Sequence, residues 1–172
     1  MENYAGPGGW NDPDLLVTGL FGKGKSSSLN GRFNGCSLTE YRTQFAIWCM
    51  LASPLMVNLD VRTMDTAVKA LLLNKELIAI DQDVLGKQAA AIVDANGWLV
   101  YKKELSGDRY AICILNRNNT TAAYSFNLET DLKTHGQWSA KEIFSSRQVR
   151  KAKALAGELA AHDCAVFILS SF

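Results

Sequence analysis

Asp12 and Asp14, in the stretch GGWNDPD from Gly8 to Asp14, are the side chains whose type and spacing most suggest chemistry. Ionised carboxylates only accept hydrogen bonds. Such a pair could grip hydroxyl groups, orient a reacting neighbour, or act as acid and base. Read as an extended segment, the two residues point to the same side, and Pro13 stiffens the link between them. Carboxylate pairs that cleave glycosidic bonds stand on opposite sides of the bond, about 5 to 9.5 Å apart. Two carboxylates on one side of one strand could match the distance but could hardly flank a ring. The geometry therefore favours holding over cleaving. Trp10 offers an apolar face to a ring, or packs beneath the loop. Gly-Gly and Asp-Pro are also ordinary turn chemistry, and composition alone weighs toward a plain turn with capping aspartates.

The elements that must position this loop change character near Lys87. Ser37–Glu40 (SLTE) is a capping box. Tyr41, Phe45, Trp48, Cys49 and Ala52 follow at helical spacing. Pro54 limits that helix. Leu55–Leu59 (LMVNL) reads as a buried parallel strand. A second helix has Ala67, Ala70, Leu71 and Leu73 on its face, and Asn74–Asp83 forms a short helix or turn. Two strands with their helices make the end of an α/β sheet or barrel rather than a whole one. Beyond Gly86 the period becomes two. Asn96-Gly97 marks a hairpin, and six or more short strands read as an antiparallel sandwich. The predicted division is residues 1–86 and 87–172.

The chain has 172 residues and a formal net charge of +1. No basic stretch is interleaved with aromatics, so nucleic acid is not an expected partner. No apolar run reaches the ~20 residues that span a bilayer, so no membrane is expected. No signal peptide is visible; the location stays open, with a cytoplasmic one preferred to secretion. Cys36, Cys49, Cys113 and Cys164 lack paired spacing, which predicts buried free thiols rather than a metal or disulfide framework. Asn118 and Asn119 each begin an N-x-T sequon. His135 and His162 read as surface or turn residues. Lys23–Arg32 reads as a solvated loop. Ser26, Ser27 and Ser28 lack a nucleophile-elbow context.

Ala5–Leu16 (AGPGGWNDPDLL), Glu40–Arg62 and Leu71–Gln88, in that order, resemble consecutive segments of the α-galactosidase (melibiase) family of glycoside hydrolases. The resemblance implies a fold in two parts. These are the last two βα units of a (β/α)8 TIM barrel, then an antiparallel β-sandwich. It implies a retaining hydrolase acting on terminal α-D-galactosyl groups without a cofactor or metal. Its nucleophile and its acid/base, both aspartates, belong to earlier strands. No segment here resembles either motif, so the expectation is that no catalytic residue lies in this chain and that the isolated chain is inactive. The resemblance places Asp14 and Leu15 in the pocket for the terminal sugar, with Trp10, Asn11 and Asp12 in support. Asp60 and Asp81–Asp83 match positions read as structural. The loop from Gly19 to Gly35 is longer than in some members. The expected partners are an α-galactoside oligosaccharide or glycoconjugate, and a second copy or a missing N-terminal half. Alternatives are α-N-acetylgalactosaminidase, β-L-arabinopyranosidase, or a non-catalytic carbohydrate-binding accessory domain.

Overall fold

The computed structural model describes residues 4–22 and 35–171. The Lys23–Arg32 reading, the serine triplet and most of the Gly19–Gly35 loop fall outside them. Helix α1 runs from Leu38 to Leu51, α2 from Thr66 to Leu72 and α3 from Lys75 to Asp81. The capping box forms as expected: the Glu40 N–H donates to Ser37 Oγ and the Ser37 N–H to the Glu40 carboxylate. Those bonds hold Glu40 below its ordinary carboxylate range. The α1 helix stops at Ala52, whose left-handed conformation (φ 52°) turns the chain toward Pro54.

Leu16 and Val57 pair in parallel. The Leu16 N–H donates to Met56 O (2.8 Å), and the Asn58 N–H to Leu16 O (2.9 Å). The expected buried strand at Leu55–Leu59 is corrected to this single bridge, with Met56 59% and Val57 40% exposed. A parallel strand is buried only when neighbours cover it, and among the described residues nothing pairs with the far side of Val57. The predicted face of α2 also needs correction. Val68 and Leu71 are buried, Ala67 and Ala70 are exposed, and Leu73 lies on the surface.

Eight strands follow: β1 Ala90–Ala95, β2 Trp98–Leu105, β3 Arg109–Asn116, β4 Ala122–Asn127, β5 Trp138–Glu142, β6 Gln148–Ala152, β7 Ala154–Leu159 and β8 Cys164–Ser171. A six-stranded sheet in the order β1-β2-β3-β8-β5-β6 faces the two-stranded pair β4-β7, and all these pairings are antiparallel. The β1–β2 hairpin turns at Asn96 and Gly97, both with positive φ, as a type I′ turn requires. A side chain at Gly97 would strike the Asn118 amide at 2.1 Å. The nitrogen of that amide, where a glycan would attach to Asn118, already donates to Asn116 Oδ1.

The large sheet is buried on both faces. Along β3, Ala111, Cys113 and Leu115 join a core with Tyr41, Phe45, Cys49 and Met50 of α1. Ile112 and Ile114 point the other way, into a core with Tyr124, Leu155 and Leu159 of the small sheet. Three layers result: helices, large sheet, small sheet. Cys49, Cys113 and Cys164 are buried free thiols in the helix-side core, as expected, while Cys36 is free and exposed. Both histidines take surface or turn positions: His135 is largely exposed and His162 has φ 59°.

Polar bonds tie the helices to the sheet. Arg42 of α1 pairs with Asp163 in the β7–β8 turn, and its guanidinium lies 4.9 Å from the Phe144 ring centre. The Asp83 carboxylate accepts from the N–H and hydroxyl of Ser106, in the β2–β3 turn. Burial pushes Asp83 up, but the bonds from Ser106 and Leu85 and the nearby Arg109 outweigh it and hold the group below its usual range. Lys103 on β2 is 1% exposed and donates to Cys49 O (3.0 Å) in the last turn of α1, where a cation suits the helix dipole. Burial lowers Lys103 to about 8, against the opposing pull of Asp81. Burial raises Asp81 to about 6, against the pull of Lys103.

The Lys103→Met variant tests this joint. Asp81 binds its proton more readily folded than unfolded, so the cost of its charge is present above pH 6 and relieved as pH falls through 6. Without Lys103 that cost grows. Urea denaturation is expected to show a larger loss at pH 7.5 than at pH 5. An equal loss at both would refute the electrostatic coupling of Asp81 to Lys103.

Candidate functional site

The loop from Gly6 to Leu16 is built in two parts. Gly6 and Gly9 exchange backbone hydrogen bonds (3.0 and 2.9 Å), closing a tight turn in which Gly8 takes φ 101°. The Trp10 indole N–H then donates to Gly86 O (2.8 Å), and its ring lies where a side chain at Gly86 would stand. Asn11 Nδ2 donates to the Gln88 side chain (2.7 Å), while Asn11 O accepts from the buried Ser53 hydroxyl (3.1 Å). Residues 6–11 are therefore fastened to the exit of the helical region. Trp10 remains 43% exposed, but its polar atom is already used.

The second part holds the carboxylates. Asp12 Oδ1 accepts from the Asp14 N–H (2.9 Å), a local bond that aspartate makes readily in turns. Asp14 has φ 74°, so the segment is not extended there, and the same-side arrangement expected from strand geometry does not apply. One oxygen of Asp14 accepts from the Leu15 N–H (2.7 Å). The other oxygen of each carboxylate has no partner among the described residues. Both aspartates are exposed, so each can accept from a hydroxyl or another donor. Leu15 and Val17 are 36% and 37% exposed, and Leu16 between them is fully buried against α1. Alternation along the strand puts Leu15 and Val17 on the side away from the helix.

Helix α1 fixes this segment through a stripe of three side chains that apolar spacing alone does not mark as hydrogen-bonding. Trp48 Nε1 donates to Asp14 O (3.1 Å), Gln44 accepts from the Thr18 hydroxyl (3.0 Å), and the Tyr41 oxygen accepts from the Phe21 N–H (2.7 Å). The three residues sit at helical spacing i, i+3 and i+7. Tyr41 and Trp48 had registered only as apolar positions, and their hydrogen-bonding atoms were the available signal. Asp60 follows the Val57 bridge, caps the 3-10 turn Val61–Thr63 and pairs with Arg62 on two oxygens (2.9 and 2.7 Å). Those bonds hold the Asp60 carboxyl below the ordinary carboxylate range.

The arrangement at residues 12–15 is two carboxylates, each with one free oxygen, beside an apolar wall. It supplies acceptors for a polar ligand. No His/Cys/Asp/Glu cluster able to hold a metal exists among the described residues. Because φ at Asp14 favours glycine, Asp14→Gly is expected to be more stable than Asp14→Ala by about 1 kcal/mol. Thermal unfolding of the two variants measures the difference, and an advantage for alanine would contradict the backbone assignment.

Comparison with known proteins agrees with this geometry. Residues 1–83 match the family described as alpha galactosidase A, and residues 95–169 match the alpha galactosidase C-terminal beta sandwich domain. An α-galactosidase of Oryza sativa subsp. japonica is 35% identical over 97% of this chain, and human α-galactosidase A is 38% identical over 74%. The solved β-L-arabinopyranosidase of Geobacillus stearothermophilus superposes with a TM-score of 0.81 at 25% identity, over 95% of this chain and 37% of that one. The chain spans 37% of the rice protein and 27% of the human one. A partial (β/α)8 barrel followed by a β-sandwich, matched over both parts, identifies the chain as a member of the α-galactosidase family, corresponding to the C-terminal portion of its relatives.

Proposed function

We propose that this chain is the C-terminal part of a retaining glycosidase that removes terminal α-D-galactosyl groups, and that its own contribution is to hold the sugar. The observation that carries this reading is the loop at Asp12–Leu15, where one oxygen on each carboxylate has no partner among the described residues and stands beside the exposed Leu15. Asp14 would accept from sugar hydroxyls and Leu15 would form an apolar wall. Asp12 would fix the Asp14 backbone, and Trp10 would anchor the loop to Gly86. The nucleophile and the acid/base would be aspartates of upstream barrel strands. The exposed Met56 and Val57 beside the parallel bridge support this, because they lack the cover that further strands supply.

The test is hydrolysis of p-nitrophenyl α-D-galactopyranoside. The chain alone is expected to show none. Joined to an upstream part bearing the other barrel strands, it is expected to turn over, and Asp14→Asn is expected to lower kcat/KM by about 10- to 100-fold, the loss of a hydrogen bond to a charged group. Turnover by the chain alone would place the catalytic carboxylates within it. Preference for the N-acetylgalactosaminide or the β-L-arabinopyranoside in the joined protein would move the substrate to that of a sister activity.

A further inference from the structure

A cleft of about 450 Å³ opens at the rim between the two sheets, beside the β5–β6 turn. Tyr124 of β4, Glu142 of β5, Ser145 and Arg147 of that turn, and Gly157 of β7 line it. Along β5, Glu142 shares a face with the buried Trp138 and Ala140, so its side chain points between the sheets. Tyr124 comes to the same space from the small sheet. Its partner across the β4–β7 pair is Gly157. The Tyr124 oxygen lies 2.9 Å from where a side chain at Gly157 would begin, so the glycine makes room for the hydroxyl end of the ring.

The polar groups here are buried but not used up. Tyr124 is 8% exposed and Glu142 7%. The Tyr124 oxygen has no hydrogen-bond partner among the described residues and is not one of the polar atoms closed off from solvent. Buried polar groups are nearly always satisfied. Burial raises the phenol to about 12, so at neutral pH it keeps its proton and can donate as well as accept. Glu142 takes one N–H on each oxygen, from Phe144 (3.2 Å) and Ser145 (2.6 Å), and a carboxylate has lone pairs beyond two. Arg147 gives one nitrogen to Ala156 O (2.9 Å), and the rest of its guanidinium has no partner among the described residues. Arg42 and Asp163, also on the lining, satisfy each other. With Glu158 the lining holds three carboxylates against two guanidinium groups, so its charge does not call for an anion.

We propose that this cleft binds a neutral hexose unit, its hydroxyls shared among the Tyr124 phenol, the Glu142 carboxylate and the Arg147 guanidinium. A sugar hydroxyl donates and accepts at once, which suits a site that mixes a phenol, a spare carboxylate lone pair and free guanidinium N–H groups. The volume falls within the range of small-molecule sites, about 300–1,000 Å³. That the polyol is a sugar rests on the glycosidase reading. The loop at Asp14 contributes nothing to the lining, so the two readings fail separately.

The test is a titration of the full 172-residue chain with galactose, galacturonate and inorganic phosphate. It is followed by the backbone N–H cross-peaks of Ser145 and Arg147 in proton–nitrogen spectra. Galactose is expected to move both peaks to saturation, and the two anions to bind more weakly. Tyr124→Phe removes a single oxygen and is expected to weaken galactose about fivefold, the loss of one neutral hydrogen bond. Arg147→Gln is expected to weaken it about tenfold, the loss of a charged one. Both variants are expected to keep the parent melting curve, and Asp14→Asn to keep the parent affinity. Galactose bound here by a chain whose joined form hydrolyses nothing would support the cleft and sink only the hydrolase reading. Four results would overturn the proposal: no shift with galactose, an anion bound as tightly as galactose, full affinity in both cleft variants, or a shift abolished by Asp14→Asn.

Discussion

Helix α1 must satisfy two surfaces at once. Through Tyr41, Phe45, Cys49 and Met50 it supplies the apolar layer that covers one face of the large sheet. Through Tyr41, Gln44 and Trp48 it grips the segment from Asp14 to Phe21. Every described connection between the candidate loop and the β-sandwich passes through this helix or through the exit at Gly86–Gln88. The buried ammonium of Lys103 against the last turn of α1 is a costly device. It stands where a helix end, two acidic side chains and a sheet meet.

Much of this was legible in residue order. The capping box and the spacing of Tyr41, Phe45 and Cys49 announce α1, and Asn96-Gly97 announces the β1–β2 turn, because those signals are local. The failures are non-local. Leu55–Leu59 reads as buried because its residues are apolar, but burial depends on neighbours that the described chain does not place there. Strand β6 went unread: Gln148, Val149, Arg150 and Lys151 are all exposed on the sheet edge, so no alternation marks them. On such an edge, charged side chains also discourage pairing with another chain. The conformation of Asp14 was hidden for a different reason. Its backbone in that positive-φ conformation bonds to Trp48 and Asp12, one of them far away in sequence.

The candidate loop shows how a site can be held without being rigid in itself. Its first half is fastened by Trp10 and Asn11, its backbone by Trp48, and the outer carboxylate oxygens have no partner among the described residues. Side chains that are fixed on one atom and free on another suit a role in binding, since little ordering remains when a ligand arrives. The family to which the chain belongs makes sugar hydroxyls a natural complement to those oxygens.

Strand β8 lies between β3 and β5, in the middle of the large sheet, although it comes after every other strand in the chain. During synthesis, β1–β3 can emerge as one antiparallel unit and β5–β6 as another, each with an open inner edge. Neither unit can be joined to its partner until the segment from Cys164 onward has left the ribosome. The nascent sandwich is therefore two half-sheets awaiting a keystone. Exposure of those edges to other nascent chains is set by how long the last strand takes to arrive.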